Sequence, residues 1–155
     1  MSQAMDLRLA RETDVEAIRD LTRAAYAKWV AVIGREPKPM GADYEAAVRK
    51  HRFDLLYVDD VLAGLIETVD EMTQLLIENV AVSPDFQGLG LGSKLMAHAE
   101  TIATSLGHSR IWLYTNQRFT ENVRLYLKLG YLIDREEDVG GGTVRVDMSK
   151  TLASS

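Results

Sequence analysis

The chain has 155 residues, of which 46% are apolar and 26% charged, with a formal net charge of −5. That fits one soluble globular domain with a single core. No run approaches the roughly 18 uninterrupted apolar residues of a membrane span, and Met1 to Asp6 lacks the basic start and apolar stretch of a secretory signal. The absence of cysteine excludes disulfides, thiolate nucleophiles and cysteine-ligated zinc, and makes the cytoplasm the expected compartment. With no basic block, neither a nucleic-acid nor a membrane partner is expected.

In chain order, Asp6 to Ala10 alternates as a short strand, and Thr13-Asp14 offers an N-cap. Val15, Ile18, Leu21, Thr22, Ala25 and Trp29 recur at helical spacing, which predicts an amphipathic helix over Asp14 to Ile33, ended by Gly34. A Pro-rich loop, Gly34 to Gly41, leads to a second helix over Ala42 to His51. Strands follow at Leu55 to Asp59, Val61 to Val69 and Gln74 to Val82, with Asp59-Asp60 turning between the first two. Ser83-Pro84-Asp85 stops the third, since proline cannot donate to a ladder. After a glycine-rich loop comes a long helix over Leu91 to Leu106 with the stripe Leu91, Leu95, Ala99, Ile102 and Leu106, then a strand at Arg110 to Thr115. A short helix over Thr120 to Leu129 closes at Gly130, and Tyr131 to Glu136 and Thr143 to Met148 form a final pair joined across Gly140 to Gly142. The strand-helix-strand passage implies one parallel pair and the hairpins antiparallel ones, so a mixed sheet with helices on its faces is expected.

The loop Gln87-Gly-Leu-Gly-Leu-Gly92 lies between a strand and a helix. A helix start presents unsatisfied N–H groups and a partial positive charge, and glycines allow close approach to the backbone. Together they make an anion site suited to a pyrophosphate. The dinucleotide pattern Gly-x-Gly-x-x-Gly fails, because Ser93 and Leu95 stand where its last glycine is needed. The nucleoside-triphosphate loop also fails, since the order is Gly92-Ser93-Lys94. A third pattern, Gln/Arg-x-x-Gly-x-Gly/Ala, is filled by Gln87, Gly90 and Gly92. The plain alternative is a structural turn whose glycines let strand and helix pack.

That third pattern resembles the acetyl-coenzyme A pyrophosphate loop of the GCN5-related N-acetyltransferase (GNAT) family, and the segment before it, Asn79 to Phe86, is similar to the family's strand and turn. Downstream, Asn122-Val-Arg-Leu-Tyr-Leu-Lys-Leu-Gly-Tyr131 resembles the family's second signature, with Tyr126 and Gly130-Tyr131 in its helical-tyrosine and Gly-aromatic positions. Leu113-Tyr-Thr-Asn116 is similar too. Pro37 to Tyr44, Thr120 to Asn122 and Val144 to Lys150 resemble a bacterial-type subgroup of uncharacterised acetyltransferases. The resemblance spans nearly the whole chain. It implies one N-acetyltransferase domain over residues 1–155, of α/β (mixed α+β) class. Its sheet would be central, twisted and mostly antiparallel, with six to seven strands and about four helices. The cofactor would lie in a cleft where two strands splay.

The implied reaction is direct transfer of an acetyl group from acetyl-coenzyme A to a primary amine on a small molecule or peptide. It requires that the thioester be held, the amine lose a proton, the oxyanion be stabilised and the leaving thiolate be protonated. By analogy with the family, Gln87, Gly88, Leu89, Gly90, Leu91, Gly92 and Ser93 bind the pyrophosphate. Val80 and Val82 bond the pantetheine arm, and an N–H near Ala81 or Val82 faces the oxyanion. Asn116 and Asn122 either bond that arm or cap helix and loop. Tyr126 is the candidate acid, its alternative being a core aromatic. Glu78 is the candidate base, placed by alternation opposite Ile77 and Asn79 and alongside Val80 and Val82. Glu67 reads rather as an exposed or ion-paired edge position.

Tyr26, Trp29, Met40 and Tyr44, near the Pro-rich loop, are acceptor-site candidates. Trp112 is expected in the core. His51, His98 and His108 lack metal-ligand spacing and read as surface residues, so no metal is expected. The last antiparallel strand could support a homodimer. A non-catalytic acyl-coenzyme A sensor on the same fold, or a nucleotide-binding protein using the glycine loop differently, stay as other readings.

Overall fold

The computed structural model describes residues 4–153. In chain order its elements are β1 (Met5–Leu9), α1 (Val15–Ile33), α2 (Tyr44–Lys50), β2 (Arg52–Val58), β3 (Val61–Asp70) and β4 (Leu75–Val82). They continue with α3 (Leu91–Ser105), β5 (Arg110–Asn116), α4 (Thr120–Lys128), β6 (Leu132–Gly140) and β7 (Thr143–Thr151). The strands form one sheet of seven in the order β1-β2-β3-β4-β5-β7-β6. All neighbours are antiparallel except β4 and β5, the parallel pair that flanks α3 in sequence. The mixed, mostly antiparallel sheet expected from the sequence is therefore present.

Local chemistry sets the boundaries. Asp59 and Asp60 both take positive φ, 48° and 66°, the backbone of a two-residue hairpin whose twist matches its strands. Asp43 caps α2, its carboxylate accepting from the Ala46 amide at 3.2 Å, so the helix begins at Tyr44, two residues later than the expected Ala42. Asp14 precedes α1 but does not cap it. Its carboxylate turns back to the Arg11 amide at 2.8 Å, closing a 3₁₀ turn over Glu12–Asp14. The last hairpin is longer than the sequence suggests, because both strands pair on to Gly140↔Thr143.

Two cores lie on opposite faces of the sheet. On one face α3 inserts Leu91, Leu95, Met96, Ala99, Ile102 and Ala103 among Leu56, Ile66, Ile77, Ile111 and Leu113. On the other, Val15, Ile18, Leu21 and Ala25 of α1 and Tyr44 of α2 cover Phe53, Leu55, Leu65 and Ala81. Leu106, placed by periodicity on the α3 stripe, lies past the last helical turn and is 48% exposed. Gly64 is needed where α3 crosses: a Cβ there would lie 3.1 Å from both the Ala81 carbonyl oxygen and Leu95 Cδ1.

The parallel pair is short. β4 and β5 are in register only over Leu75↔Ile111, Leu76↔Trp112 and Ile77↔Leu113, after which both strands run on unpaired with each other. The cause lies on the other edge of β4. There Glu67 faces Asn79 and Thr68 faces Ile77, which leaves Glu78 as an extra residue. Such a bulge bends and twists the strand that carries it, and here it turns the end of β4 away from β5.

Candidate active site

The mouth of the opened pair is the glycine turn. Gly88 and Gly90 have φ of 81° and 77°, and Gly90 is the residue immediately before α3. This left-handed backbone favours glycine. Among the described residues, no amide from Gly90 to Ser93 donates to a protein oxygen; the first bond of the helix runs from the Lys94 amide to the Gly90 carbonyl at 3.2 Å. Several N–H groups and the positive end of a four-turn helix thus converge on one spot, the requirement for holding a diphosphate. A Cβ on Gly92 would meet Leu125 of α4 in van der Waals contact at 3.4 Å, so α3 and α4 run close together here.

Behind the turn is a cleft of about 240 Å³. Val80, Ala81 and Val82 form its floor, Gln87, Gly88 and Gly90 to Gly92 one end, Ala25, Tyr26, Lys28 and Trp29 of α1 one wall, and Glu121, Asn122, Leu125 and Tyr126 of α4 the other. The Ser83 amide donates to Ala63 of β3 at 2.8 Å. Strand alternation then points the Val82 and Val80 amides the other way, into the gap, and the Ala81 amide toward β3. Two contacts hold α1 over the gap: Trp29 stacks on Phe119 with centroids 4.8 Å apart, and Lys28 pairs with Glu121 at 3.1 Å.

Tyr126 is buried in the wall. Burial pushes its phenol up to about 12, so it carries its proton throughout the ordinary pH range. At the point where the strands part, the Tyr114 hydroxyl donates to Glu78 at 2.7 Å; burial first, and then the Glu78 carboxylate, hold that phenol well above its usual range. The Tyr26 hydroxyl donates to Asn79 Oδ1 at 2.8 Å, while Asn79 Nδ2 is buried without a partner. Burial also raises Tyr26 well above the ordinary phenol.

Of the positions expected from the sequence, Val80 to Val82, Gln87, Gly88, Gly90 to Gly92, Asn122 and Tyr126 line the same cleft as Tyr26 and Trp29. Leu89 projects outward and is 54% exposed. The Asn116 carboxamide accepts from the Arg118 amide at 2.9 Å and so shapes its own loop. Met40 and Tyr44 do not line the cleft. Both are buried, and the Tyr44 hydroxyl donates to the Pro39 carbonyl at 2.6 Å.

Strict alternation does not hold at Glu78, because the bulge shifts the register. Ile77 lies in the α3-side core, against which Val80 and Val82 also pack, whereas Asn79 reaches α1. Glu78, bonded to Tyr114, does not share the face of Val80 and Val82. Glu67 is not on an edge: β3 lies between β2 and β4, and Glu67 is 4% exposed and paired with His51 Nδ1 at 2.6 Å. Burial raises this carboxyl, and the His51 bond opposes the shift. The histidines are not free surface groups either, since His98 meets the buried Asp54 at 3.1 Å and His108 meets Asp70 at 2.7 Å. Trp112 is only half-buried, and its indole N–H donates to Glu71 at 2.7 Å.

Sequence reasoning missed Asn79, Tyr114 and Phe119. Tyr114 could have been found as the outward neighbour of Leu113 in an alternating strand. Asn79 could not, because its direction depends on the bulge.

Among proteins of known structure, a GNAT acetyltransferase from Desulfovibrio desulfuricans superposes with a TM-score of 0.82 at 16% identity, over 97% of this chain and 100% of that one. PaiA N-acetyltransferase from Thermoplasma acidophilum, solved in complex with coenzyme A, superposes with a TM-score of 0.81 at 19% identity, over 96% and 99%. The ribosomal-protein-S18-alanine N-acetyltransferase of Escherichia coli gives 0.80 at 18% identity, over 98% and 96%. In sequence, the chain is 32% identical over 76 residues to the ribosomal protein bS18-alanine N-acetyltransferase of Salmonella typhimurium, a match that spans 49% of this chain and 51% of that relative. The model of the acetyltransferase (GNAT) family matches residues 15–131, the stretch that contains the opened strand pair, the glycine turn and Tyr126, and the chain belongs to that family.

Proposed function

We propose that the chain transfers an acetyl group from acetyl-coenzyme A to a primary amine by direct attack. One observation carries the reading: β4 and β5 part after three paired residues, and the gap opens at one end onto the unpaired amides of Gly90 to Ser93. A shallow anion site would need only the turn. The gap adds a slot with open backbone groups, suited to an arm that continues from the diphosphate. Coenzyme A supplies the acetyl group as an activated thioester.

The Gln87–Ser93 amides hold the diphosphate, and the Val80 backbone aligns the arm. The Val82 amide, turned into the gap, stabilises the oxyanion, for which one such donor is worth about 2.7–4 kcal/mol. Glu78, at the bulge, takes the proton from the amine, directly or through water. Its bond from Tyr114 holds the carboxylate in place. Tyr126 carries the proton that the departing sulfur needs. Lys28, Trp29 and Phe119 hold α1 over the slot and restrict water. The acceptor amine enters on the Glu78 side, and the Salmonella relative, named for a ribosomal protein alanine, makes a peptide N-terminus one candidate. The cysteine-free composition supports a cytoplasmic site of action; among the described residues no helix is long and apolar enough to cross a membrane.

The test is thiol release from acetyl-coenzyme A with an amine panel. Turnover should fall about a hundredfold or more in Glu78→Gln, and the acidic limb of the pH–rate profile should disappear. An unaltered profile removes Glu78 from this role. Coenzyme A binding without turnover on any amine would favour the non-catalytic sensor.

A further inference from the structure

The acceptor side of the gap carries a charge pattern that the chemistry above does not use. Glu78 and Tyr114 lie beside the cleft rather than in its lining; Tyr114 pairs with Asp147 of β7, and the Arg145 guanidinium lies over the Tyr114 ring, 4.3 Å from its centroid. Arg145 is neutralised by Asp147 at 2.7 Å and lies opposite Glu137 of β6. Two further arginines are anchored near the start of β7. Arg118 follows β5 by two residues, and its place is fixed by the Asn116 carboxamide on its own amide at 2.9 Å and by the neighbouring Gln117 amide on the Val144 carbonyl at 2.9 Å. Asn116 pairs with Arg145 across the ladder. Arg35, just past the end of α1, donates to Thr143 Oγ1, two residues before Arg145 on β7.

Among the described residues, neither Arg35 nor Arg118 has a carboxylate partner, in a chain whose acidic residues outnumber its basic ones. Each meets only a neutral side-chain or main-chain oxygen, Thr143 Oγ1 for Arg35 and the Val32 carbonyl at 3.4 Å for Arg118. A guanidinium offers five N–H donors in a fork that matches a carboxylate. Both side chains therefore keep most of their donors for a ligand.

We infer that the acceptor carries a carboxylate as well as its amine: the amine lies at Glu78, and Arg118 with Arg35 binds the carboxylate beyond Tyr114. The substrate class is a small amino acid with the two groups at its opposite ends. The inference rests on the proposed place of the amine at Glu78. Cations near the last carbonyls of α1 also favour the helix. That structural role would show in thermal stability and would leave the Michaelis constant for the acceptor unchanged.

The experiment compares glycine, 4-aminobutyrate and 6-aminohexanoate with their methyl esters, which keep the amine and lose the charge. At least one acid should exceed its ester in kcat/KM by about tenfold or more. In Arg118→Ala and Arg35→Ala the KM for that acid should rise about tenfold, with kcat, ester turnover and the KM for acetyl-coenzyme A held, and Arg118→Lys should recover part of the loss. Glutarate supplies a probe that needs no turnover. With coenzyme A present it should raise the Tm of the unmutated protein and not that of Arg118→Ala. Esters accepted as well as acids, or acids and esters equally impaired in the variants, would overturn the subsite and leave the transferase intact. No thiol release with any amine, alongside Arg118-dependent glutarate binding, would instead sink the transferase and keep the subsite.

Discussion

The two halves of β4 behave as different materials. Leu75, Leu76 and Ile77 are all buried and paired with β5, as in the interior of a parallel sheet. From Glu78 to Val82 burial alternates, the β5 side is open, and the backbone faces a cleft. One extra residue at Glu78 separates the halves. The first half fixes the strand, and that rigidity is what lets the second half expose backbone donors without collapsing onto β5. Substitutions on the two sides should therefore fail in different ways.

The largest separation is expected between Tyr126 and the zipped half. Tyr126→Phe should lower kcat by about a hundred- to ten-thousandfold with little loss of Tm. With its phenol pushed up to about 12, Tyr126 should not cause a fall in kcat between pH 7 and about 10. The same shift has a consequence for stability. An unfolded tyrosine ionises near 10, so the Tyr126 contribution is fully present below about 10 and is lost as pH rises through about 12. Alkaline unfolding of Tyr126→Phe should lack that portion, and an identical alkaline limb in both proteins would count against the burial argument.

Next comes Ile77→Ala in the zipped half. It should cost about 2–5 kcal/mol in urea unfolding and leave KM for acetyl-coenzyme A unchanged at temperatures where the variant is folded. A change in KM with no change in stability would mean that the halves are not separated by the bulge. The smallest effect belongs to the turn. Gly90→Ala places a Cβ at φ of 77°, costs about 1–2 kcal/mol, and should weaken coenzyme A binding by a similar energy as the amides rotate.

The sequence shows the first half of this comparison better than the second. The order of all seven strands, the parallel pair and the glycine turn follow from periodicity, Asp59-Asp60, Pro84 and the spacing of Gln87, Gly90 and Gly92. Tyr126 is found by its motif and lies in the cleft wall. What was not legible depended on register, on tertiary packing or on loop bonding. Glu78 reads as alternating with Ile77 and Asn79 until the extra residue is seen, and no local residue choice marks the bulge. Met40 and Tyr44 follow a loop that suggests a pocket, but tertiary packing buries them. Asn116 is polar and correctly placed on β5, yet its carboxamide is taken by the next loop. Arg35 and Arg118 stand 83 positions apart in sequence, and only the pairing of β5 with β7 and the end of α1 brings them together.

The central claim is that main-chain amides at the mouth of the opened strands grip a diphosphate. Amide ¹H–¹⁵N shifts followed during titration with coenzyme A test it most directly. The largest changes should fall at Gly88 to Ser93 and at Val80 and Val82, with the zipped residues Leu75 to Ile77 nearly still. If millimolar coenzyme A leaves the turn and the open half of β4 unmoved, or moves residues elsewhere instead, the account is wrong.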